Sequence, residues 1–292
     1  MKKNNQLIAI VFLLFSAFIA LDAKAYEPWE HPGGARGLAL GGGVIASGTG
    51  SDALTANPAA MSLIRSYIWE NFYSFSSFDK GHTGTTSLVD SYLNPKIAAG
   101  SYFTTTLASP EIYVDGNSKK LDEKFMKGGL AVSMLLGKMI ALGFNGYYYK
   151  FDREGSEKRS FLSLDIGMIV KIGEYLSIGA VAYDLISEHN DDHPWSYGGG
   201  IALALFKKQF LMEADVVMEG KEPWYKGGAE LFFSKGLALR AGGGYRQRYE
   251  RTYLAFGIGY VTKKSSVELS MSQGLQGGKN TIVGIDLRFF LK

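Results

Sequence analysis

Residues 281–291 read Thr-Ile-Val-Gly-Ile-Asp-Leu-Arg-Phe-Phe-Leu, and their side chains alternate between two kinds. In a β-strand successive side chains point to opposite faces, so every second residue shares a face. One face of this segment would carry only large apolar residues, namely Val283, Ile285, Leu287, Phe289 and Leu291. The other face would carry Gly284, Asp286 and Arg288. The segment therefore predicts a strand with one apolar and one polar wall.

The same alternation recurs in segments of roughly ten residues that are bounded by Gly, Lys, Asn or Asp. Candidate strands lie near Tyr67–Ser74, Ile97–Leu107, Gly129–Leu136, Ile140–Tyr149, Phe161–Val170, Ser177–Tyr183, Ser196–Leu205, Phe210–Val217, Tyr225–Phe233, Leu237–Tyr245, Thr252–Val261, Ser265–Ser272 and Asn280–Phe290. Glu111–Asp115 is a short further candidate. Bacterial barrels prefer even strand numbers, so we expect about 12 or 14 strands.

The N-terminus has the three parts of a secretory signal peptide. Lys2 and Lys3 form a basic region, Leu7–Leu21 is an apolar run, and Ala23-Lys24-Ala25 is a small-x-small cleavage site. The apolar run is shorter than the roughly 20 residues that an uncleaved membrane anchor needs. We therefore expect residues 1–25 to be removed on export.

The composition narrows the class of protein. Cleavage would remove three lysines and one aspartate, which leaves 28 basic and 27 acidic residues. Such a balance without a basic block does not favour nucleic acid as a partner. The absence of cysteine excludes a disulfide scaffold, thiol catalysis and a lipidated N-terminal cysteine. An exported chain of two-faced strands, with 17 tyrosines and 18 phenylalanines for interface girdles, predicts an all-β, transmembrane antiparallel β-barrel surrounded by outer-membrane lipid.

Ionisable residues indicate which face of the strands meets the lumen. A charge that faces lipid at the membrane midplane costs about 2–4 kcal/mol for Arg or Lys, so the charged faces should point inward. The residues concerned are Asp165, Glu213, Asp215, Glu230, Arg240, Glu268, Asp286 and Arg288. Two interpretations remain open, a selectivity ring for ions and a ladder of ion pairs that fills a narrow lumen. Tyr147, Tyr148 and Tyr149 are expected to mark a membrane interface.

The stretch before the strands differs from the rest of the chain. It is rich in Gly and Ala, shows little alternation, and contains Gly41-Gly42-Gly43 and Asn57-Pro58-Ala59-Ala60. Asp52 is a candidate N-cap for a short helical turn, which Asn57-Pro58 should end. This predicts a compact, partly helical segment over residues 26–65, followed by a barrel over residues 66–292.

Three stretches resemble the FadL superfamily of outer-membrane barrels, which includes FadL-type fatty-acid transporters and PorV/PorQ-like proteins. The N-terminal pattern consists of residues 34–42, Asp52-Ala53 and residues 57–61, and the second stretch consists of residues 228–231 and 239–242. The third is the C-terminus, where Gly284, Leu287 and Phe289 fit a signal for the barrel-assembly machinery. Two features depart from the pattern: the mature chain of 267 residues is short for a fatty-acid transporter, and the last residue is Lys292 instead of an aromatic residue.

The resemblance implies that the N-terminal segment plugs the barrel, with Arg36, Asp52, Asn57 and Pro58 at the plug or gate. Asn57-Pro58 is either a gate that shifts when ligand binds or a fixed turn whose Asn caps backbone groups, and the fixed turn is favoured. Arg36 and Asp52 are expected to pair with lumen charges, because a buried charge should be paired.

A metal site or a catalytic site finds little support in the sequence. His189–His193 is the one metal-like cluster, and its Asn-Asp-Asp interior with Pro194 is typical of a solvated loop. The four histidines lack a neighbouring nucleophile motif. We therefore expect no cofactor, no metal and no enzyme activity.

Two functions are consistent with these observations. The first is passive uptake of hydrophobic, fatty-acid-like small molecules, which predicts an apolar cavity beside the plug and a lateral gap between strands. The second is a PorV/PorQ-like scaffold that binds other proteins of a Gram-negative envelope machine, which predicts a closed lumen and an exposed binding surface. The inward charges favour the second function, and uptake is held slightly ahead.

Overall fold

The computed structural model describes residues 33–114, 117–154, 158–186, 196–276 and 280–291, without the side chains of residues 111–119. The predicted signal peptide, residues 26–32 and His189–His193 lie outside this range. The described chain begins with helices α1 (Ala35–Ala39) and α2 (Ser51–Ala56) and a 3-10 helix, Pro58–Leu63. None of the described helices is long and apolar enough to cross a membrane.

The remainder is almost entirely β-structure. The strands are β1 (Tyr67–Ser76), β2 (Gly81–Asp90), β3 (Ile97–Ala108), β4 (Glu111–Val114), β5 (Asn117–Lys120), β6 (Glu123–Leu136), β7 (Ile140–Arg153), β8 (Arg159–Ile172), β9 (Leu176–Tyr183), β10 (Ser196–Leu205), β11 (Phe210–Glu219), β12 (Glu222–Phe232), β13 (Leu237–Arg246), β14 (Arg251–Val261), β15 (Ser265–Gln276) and β16 (Thr281–Leu291). A single turn of 3-10 helix, Gln247–Tyr249, joins β13 to β14.

All strands except β4 and β5 form one closed antiparallel barrel of 14 strands. The barrel closes where β1 pairs with β16, from Tyr67 opposite Leu291 to Ser76 opposite Ile282. The predicted all-β barrel with a small, partly helical N-terminal plug is therefore confirmed, at the upper of the two expected strand numbers. Glu111–Asp115 is not a barrel strand: residues 111–114 form β4, which pairs only with β5 in a separate hairpin.

Strand β2 was not among the candidates, although it is a full member of the wall. Its inward residues are Thr83, Thr85 and Ser87, and its outward residues are His82, Gly84 and Thr86. Neither face is a continuous apolar row, so the alternation that revealed the other strands is missing. The strand is held by pairing with β1 along its whole length and by cross-strand hydroxyl bonds such as Thr85 Oγ1 to Thr104 Oγ1, at 3.0 Å.

The outward face of β10 is apolar between two aromatic residues. On β10, exposed Tyr197 lies near one end and exposed Phe206 just beyond the other. Nine residues span about 30 Å along a strand, or about 23 Å along the axis of a barrel with strands tilted by about 40°. This height matches the apolar band of about 25 Å in outer-membrane barrels.

The prediction that Tyr147, Tyr148 and Tyr149 share an interface is wrong. Side chains alternate along β7, so Tyr148 is 51% exposed on the outer wall while Tyr147 and Tyr149 are buried in the lumen. Three successive residues of a strand cannot all face lipid.

The two ends of the barrel differ in the length of their connections. At one end tight turns join the strands, including residues 137–139 and 262–264. At the other end lie the longer connections, among them residues 109–122 with the β4–β5 hairpin. Outer-membrane barrels place short turns on the periplasmic side and longer loops outside, which assigns the two ends.

The described N-terminal residues fill the lumen and form its core. Helix α1 contacts β13–β16, and the 3-10 helix contacts β6–β8 on the opposite wall. The largest apolar cluster includes Leu54 and Met61 of this segment, packed against Ile169 and aromatic residues of the wall. Residues 33–63 are called the plug below.

Candidate functional site

The plug approaches the wall so closely that glycine is required at the contacts. A Cβ on Gly242 of β13 would lie far inside contact distance of Leu40 and Gly41, and Gly41 itself has a φ of +65°. A Cβ on Gly143 of β7 would collide with the backbone of Pro58 and Ala59. Because backbone atoms meet backbone atoms at these points, the plug is fitted to this wall.

Arg36 connects α1 to the wall. Its Nε and Nη2 donate to Glu230 Oε2 and Oε1 at 3.2 and 3.3 Å, and its other bonds reach the backbone oxygen and hydroxyl of Ser47. Burial alone would lower the pKa of Arg36, but the charges of Glu230 and Asp52 outweigh it and raise the pKa above the usual value. The guanidinium therefore remains charged and holds β12 and two parts of the plug together.

Further ion pairs continue from Glu230 around the wall. Arg240 donates to Glu230 and, through Nη1, to Glu268 Oε2 at 2.7 Å. Arg288 Nη2 lies 3.0 Å from Glu70 Oε1 and 3.2 Å from Asp286 Oδ2. These contacts have the geometry of an ion-pair ladder that runs through β12, β13, β15, β16 and β1.

Wall carboxylates also accept backbone N–H groups of the plug. Asp215 Oδ2 accepts from Val44 and Ile45 at 2.8 and 3.0 Å, and Glu213 accepts from the Ala46 N–H at 2.6 Å and from the Ser47 hydroxyl. In the same way Glu70 accepts the N–H and the hydroxyl of Ser51 at 2.8 and 2.6 Å. Each of these acids thus satisfies backbone or hydroxyl donors of the plug that would otherwise be buried without a partner, and so anchors the plug.

Asn57 and Pro58 are fully enclosed at the centre of the plug. Asn57 Oδ1 accepts from the Ala59 N–H at 3.1 Å and so caps the 3-10 helix that begins at Pro58. Its Nδ2 donates to Ile45 O at 2.9 Å and to Met168 O of β8 at 3.3 Å. Asn57 thus caps the turn and ties it to the wall, as the favoured interpretation expects.

Asp52 differs from the expected N-cap. Helix α2 begins at Ser51 after Gly50, and Asp52 lies in its first turn with no side-chain cap. Neither carboxylate oxygen has a hydrogen-bond partner among the described residues, and Arg288 Nη2 is 3.9 Å from Oδ2. Burial raises the pKa of Asp52 to about 6, and the charge of Arg288 offsets part of this rise.

All eight inward charges predicted from the sequence are buried in the barrel, at most 5% exposed. Seven belong to the plug contacts and ion pairs described above, and Asp165 does not. Asp165 accepts from Asn145 Nδ2 at 3.1 Å and from the Asp184 N–H at 2.9 Å. It lies beside a cavity at the long-connection end of the plug.

This cavity has a volume of about 290 Å³. Its aromatic lining comes from inward positions of the wall: Tyr102, Phe125, Tyr147, Tyr183, Trp224 and Tyr253. Leu38 and Val44 of the plug form part of its surface. The floor is therefore the plug. The side combines these aromatic rings with charged residues of the barrel, namely Lys127, Asp165, Asp184, Glu219, Lys226, Arg246, Arg248 and Arg251.

Cations stand over two of the aromatic rings. Lys127 Nζ is 3.7 Å from the ring centre of Tyr147, and Lys226 Nζ is 4.0 Å from that of Trp224. Sequence reasoning did not single out either lysine. The alternation along β12 is sufficient to place Lys226 inside, because it shares the inward face of this strand with Glu230.

The predicted lateral gap does not occur between the described strands, because every neighbouring pair in the barrel is hydrogen-bonded. The shortest ladder joins β8 to β9 and covers Ile166–Ile172 of β8. The part of β8 nearer the long-connection end includes Asp165, and it extends beyond β9 next to the cavity.

The residues of the predicted assembly signal lie at the closing strand. Gly284 faces inward, where a Cβ would press on the ring of Phe72, and Leu287 and Phe289 are exposed on the outer wall. Within the described residues no group of His, Asp or Glu could hold a metal ion.

Comparison with known proteins gives matches at the level of structure. No protein-family model matches the chain, and no curated protein matches it in sequence. The Ralstonia pickettii toluene transporter TbuX superposes with a TM-score of 0.73 at 12% identity, over 89% of this chain and 98% of that one. The Pseudomonas putida toluene transporter TodX gives 0.70 at 14% identity, over 92% and 98%. A Pseudomonas aeruginosa FadL homologue gives 0.65 at 10% identity, over 93% and 99%.

These matches span nearly the whole length of each solved structure. The resemblance found in the N-terminal pattern is thus confirmed at the level of fold, and this chain has the fold of the FadL-type outer-membrane barrels.

Proposed function

We propose that the chain carries small hydrophobic molecules passively across the outer membrane, and that they bind in the cavity above the plug. The observation that carries this proposal is the cavity of about 290 Å³ at the long-connection end, whose wall includes six inward aromatic side chains among charged ones. An apolar cavity of about 150 Å³ is sufficient for benzene. The cavity therefore suits a molecule of one aromatic ring with a substituent, or a short alkyl chain.

The expected affinity suits passage. An aromatic group buries about 150–250 Å². At about 25 cal/mol per Å² this burial contributes roughly 4–6 kcal/mol. Such an energy corresponds to dissociation constants from about 1 mM to some tens of μM, at which a ligand is captured and released again. The names of the similar structures, two of them toluene transporters, support the same class of cargo.

The alternative, a PorV/PorQ-like scaffold, predicts a closed lumen. The plug does close the lumen at the level of the ion pairs, but the cavity above it has no role in a scaffold.

Two neighbouring threonines of β3 allow a matched test. Thr104 faces the cavity and Thr105 faces outward, and each makes one hydroxyl hydrogen bond. Thr104→Phe fills part of the cavity and is expected to lower uptake of radiolabelled toluene by expressing cells several-fold. Thr105→Phe adds the same ring to the outer wall and should leave uptake unchanged.

One outcome of this uptake assay would contradict the proposal. Uptake by the Thr104→Phe protein at the wild-type rate, with equal amounts of folded barrel in the membrane, would refute the cavity as the binding site. Oleate, assayed in parallel, separates a monoaromatic cargo from a fatty-acid cargo.

A further inference from the structure

The short-turn end of the barrel is strongly basic. Its seven segments are residues 64–66, 91–96, 137–139, 173–175, 206–209, 233–236 and 262–264, all within the described chain. They carry the exposed bases Arg65, Lys96, Lys138, Lys207, Lys208, Lys235, Lys263 and Lys264. Glu174 is the one acidic residue in these segments, so eight bases and one acid give a net charge of +7. These bases are called the basic rim.

The charge belongs to this end and not to the whole molecule. In the sequence, the connections at the opposite end hold eleven acidic and seven basic residues, a net of −4. The full chain has a net charge of only +3. The two ends therefore carry net charges of opposite sign, although the net charge of the full chain is small.

No carboxylate of the described residues pairs with the basic rim. Arg65 instead donates to Tyr92 O at 3.0 Å, and its guanidinium carbon is 5.4 Å from the Tyr92 ring centre. Six of the seven segments contribute at least one base, so the charge encircles the end of the barrel. A ring that faces every direction does not resemble the one-sided patch of a protein docking site.

Exposed apolar side chains place the rim at the height of a membrane interface. Phe206 directly precedes Lys207, Phe233 lies two residues before Lys235, and each side chain is exposed. Trp69 and Tyr260, close to the same end, are exposed on the outer wall. Aromatic residues mark the boundary between hydrocarbon and head groups, so cations just beyond them lie at head-group level.

We propose that the basic rim binds the anionic head groups of phospholipids in the leaflet that meets the short turns. Lysines near an anionic membrane surface attract it, each contributing at short range. Lipids surround a barrel on all sides, and this matches a ring of cations better than one protein partner would. The barrel would thereby carry a shell of anionic phospholipid at its periplasmic end.

The test uses the folded protein in detergent with lipid added as mixed micelles. Phosphatidylglycerol and phosphatidylcholine are supplied in equal amounts, and the lipids that copurify are quantified by mass spectrometry. The wild-type protein should retain phosphatidylglycerol in preference. The combined variant Lys207→Gln, Lys208→Gln, Lys263→Gln and Lys264→Gln should lower this preference by about tenfold, since each lysine adds a surface attraction.

A matched variant removes four exposed lysines elsewhere: Lys120→Gln, Lys124→Gln, Lys150→Gln and Lys221→Gln. It changes the net charge equally and should retain phosphatidylglycerol like the wild type. Salt of about 1 M, where the Debye length is about 3 Å, should abolish the preference. Inorganic phosphate at matched ionic strength should not displace the lipid.

Three outcomes would overturn the proposal. The first is equal retention of both lipids by the wild type, which would favour an acidic protein as the partner of the basic rim. The second is equal loss in the rim variant and the matched variant, which would indicate a general charge effect. The third is displacement by inorganic phosphate, which would indicate a plain phosphate site.

Discussion

Single buried charges decide how firmly the plug is held, because several of them bond both to the wall and to the plug. Glu230 illustrates this, since it accepts from Arg36 of the plug and from Arg240 of the wall. Removing one partner of a buried pair costs about 3–5 kcal/mol in general. Asp52 is the exception, because it is buried without any hydrogen bond among the described residues.

Asp52 is expected to make stability depend on pH. Its pKa of about 6 in the folded protein lies above the ordinary 3.8, so the folded state holds the proton more tightly than the unfolded chain. The free energy of unfolding should therefore fall as pH rises from about 4 to above 6. Asp52→Asn should remove this fall and unfold at a higher temperature than the wild type at pH 8, measured by circular dichroism. Identical pH profiles for the two proteins would contradict this, and exposed Asp122→Asn serves as control.

Alternation identified the lumen charges but not their partners. Parity along a strand fixes which face a side chain takes, so Glu213 and Asp286 could be placed inside from the sequence. Their bonds to plug backbone depend on how the plug folds back between distant strands. The expectation that Asp52 caps the helix is wrong because Gly50, with a φ of +59°, takes the cap position two residues earlier.

Some glycines of the strands are required by contact with the plug. On β7, Gly143 faces inward against the plug, whereas nothing lies within 4 Å of a Cβ built on Gly146. The sequence alone does not distinguish two such glycines, because both interrupt the strand pattern in the same way. Strand β2 escaped prediction for a related reason: its inward threonines, Thr83 and Thr85, pack by hydroxyl bonds to β3 and do not form an apolar row.

These two glycines provide a matched pair of variants. Gly143→Ala forces a methyl group into the backbone of Pro58–Ala59 and should lower the free energy of unfolding by about 1–3 kcal/mol. Gly146→Ala should change it by less than about 0.5 kcal/mol, as surface substitutions usually do. Thermal unfolding in detergent measures both values. Equal stability of the two variants would show that the plug does not press on β7.

Two features close the whole molecule: strand pairing closes the barrel wall, and the plug closes the lumen. The plug blocks the lumen at the level of the ion pairs, so the wild-type protein should show almost no ion current in a planar bilayer. Arg36→Met removes the bonds to Glu230 and Ser47, and it should raise the frequency of open events several-fold because the plug loses its anchor on β12. Arg65→Met at the rim should remain as silent as the wild type. A silent Arg36→Met protein would mean that the remaining contacts suffice to hold the plug.

The closing seam has a consequence for the order of assembly. The plug ends at Leu63 and β1 begins at Tyr67, whereas β16 is the last strand of the described chain. Glu70 of β1 lies opposite Arg288 of β16, and Asp286 accepts from the Ala35 N–H of the plug at 3.4 Å. The plug, which precedes the barrel strands, thus depends on β16 for some of its contacts. A chain that stops before β16 would leave the barrel open and would also lack the contact of Asp286 with the plug, so closure of the wall and completion of the plug contacts coincide.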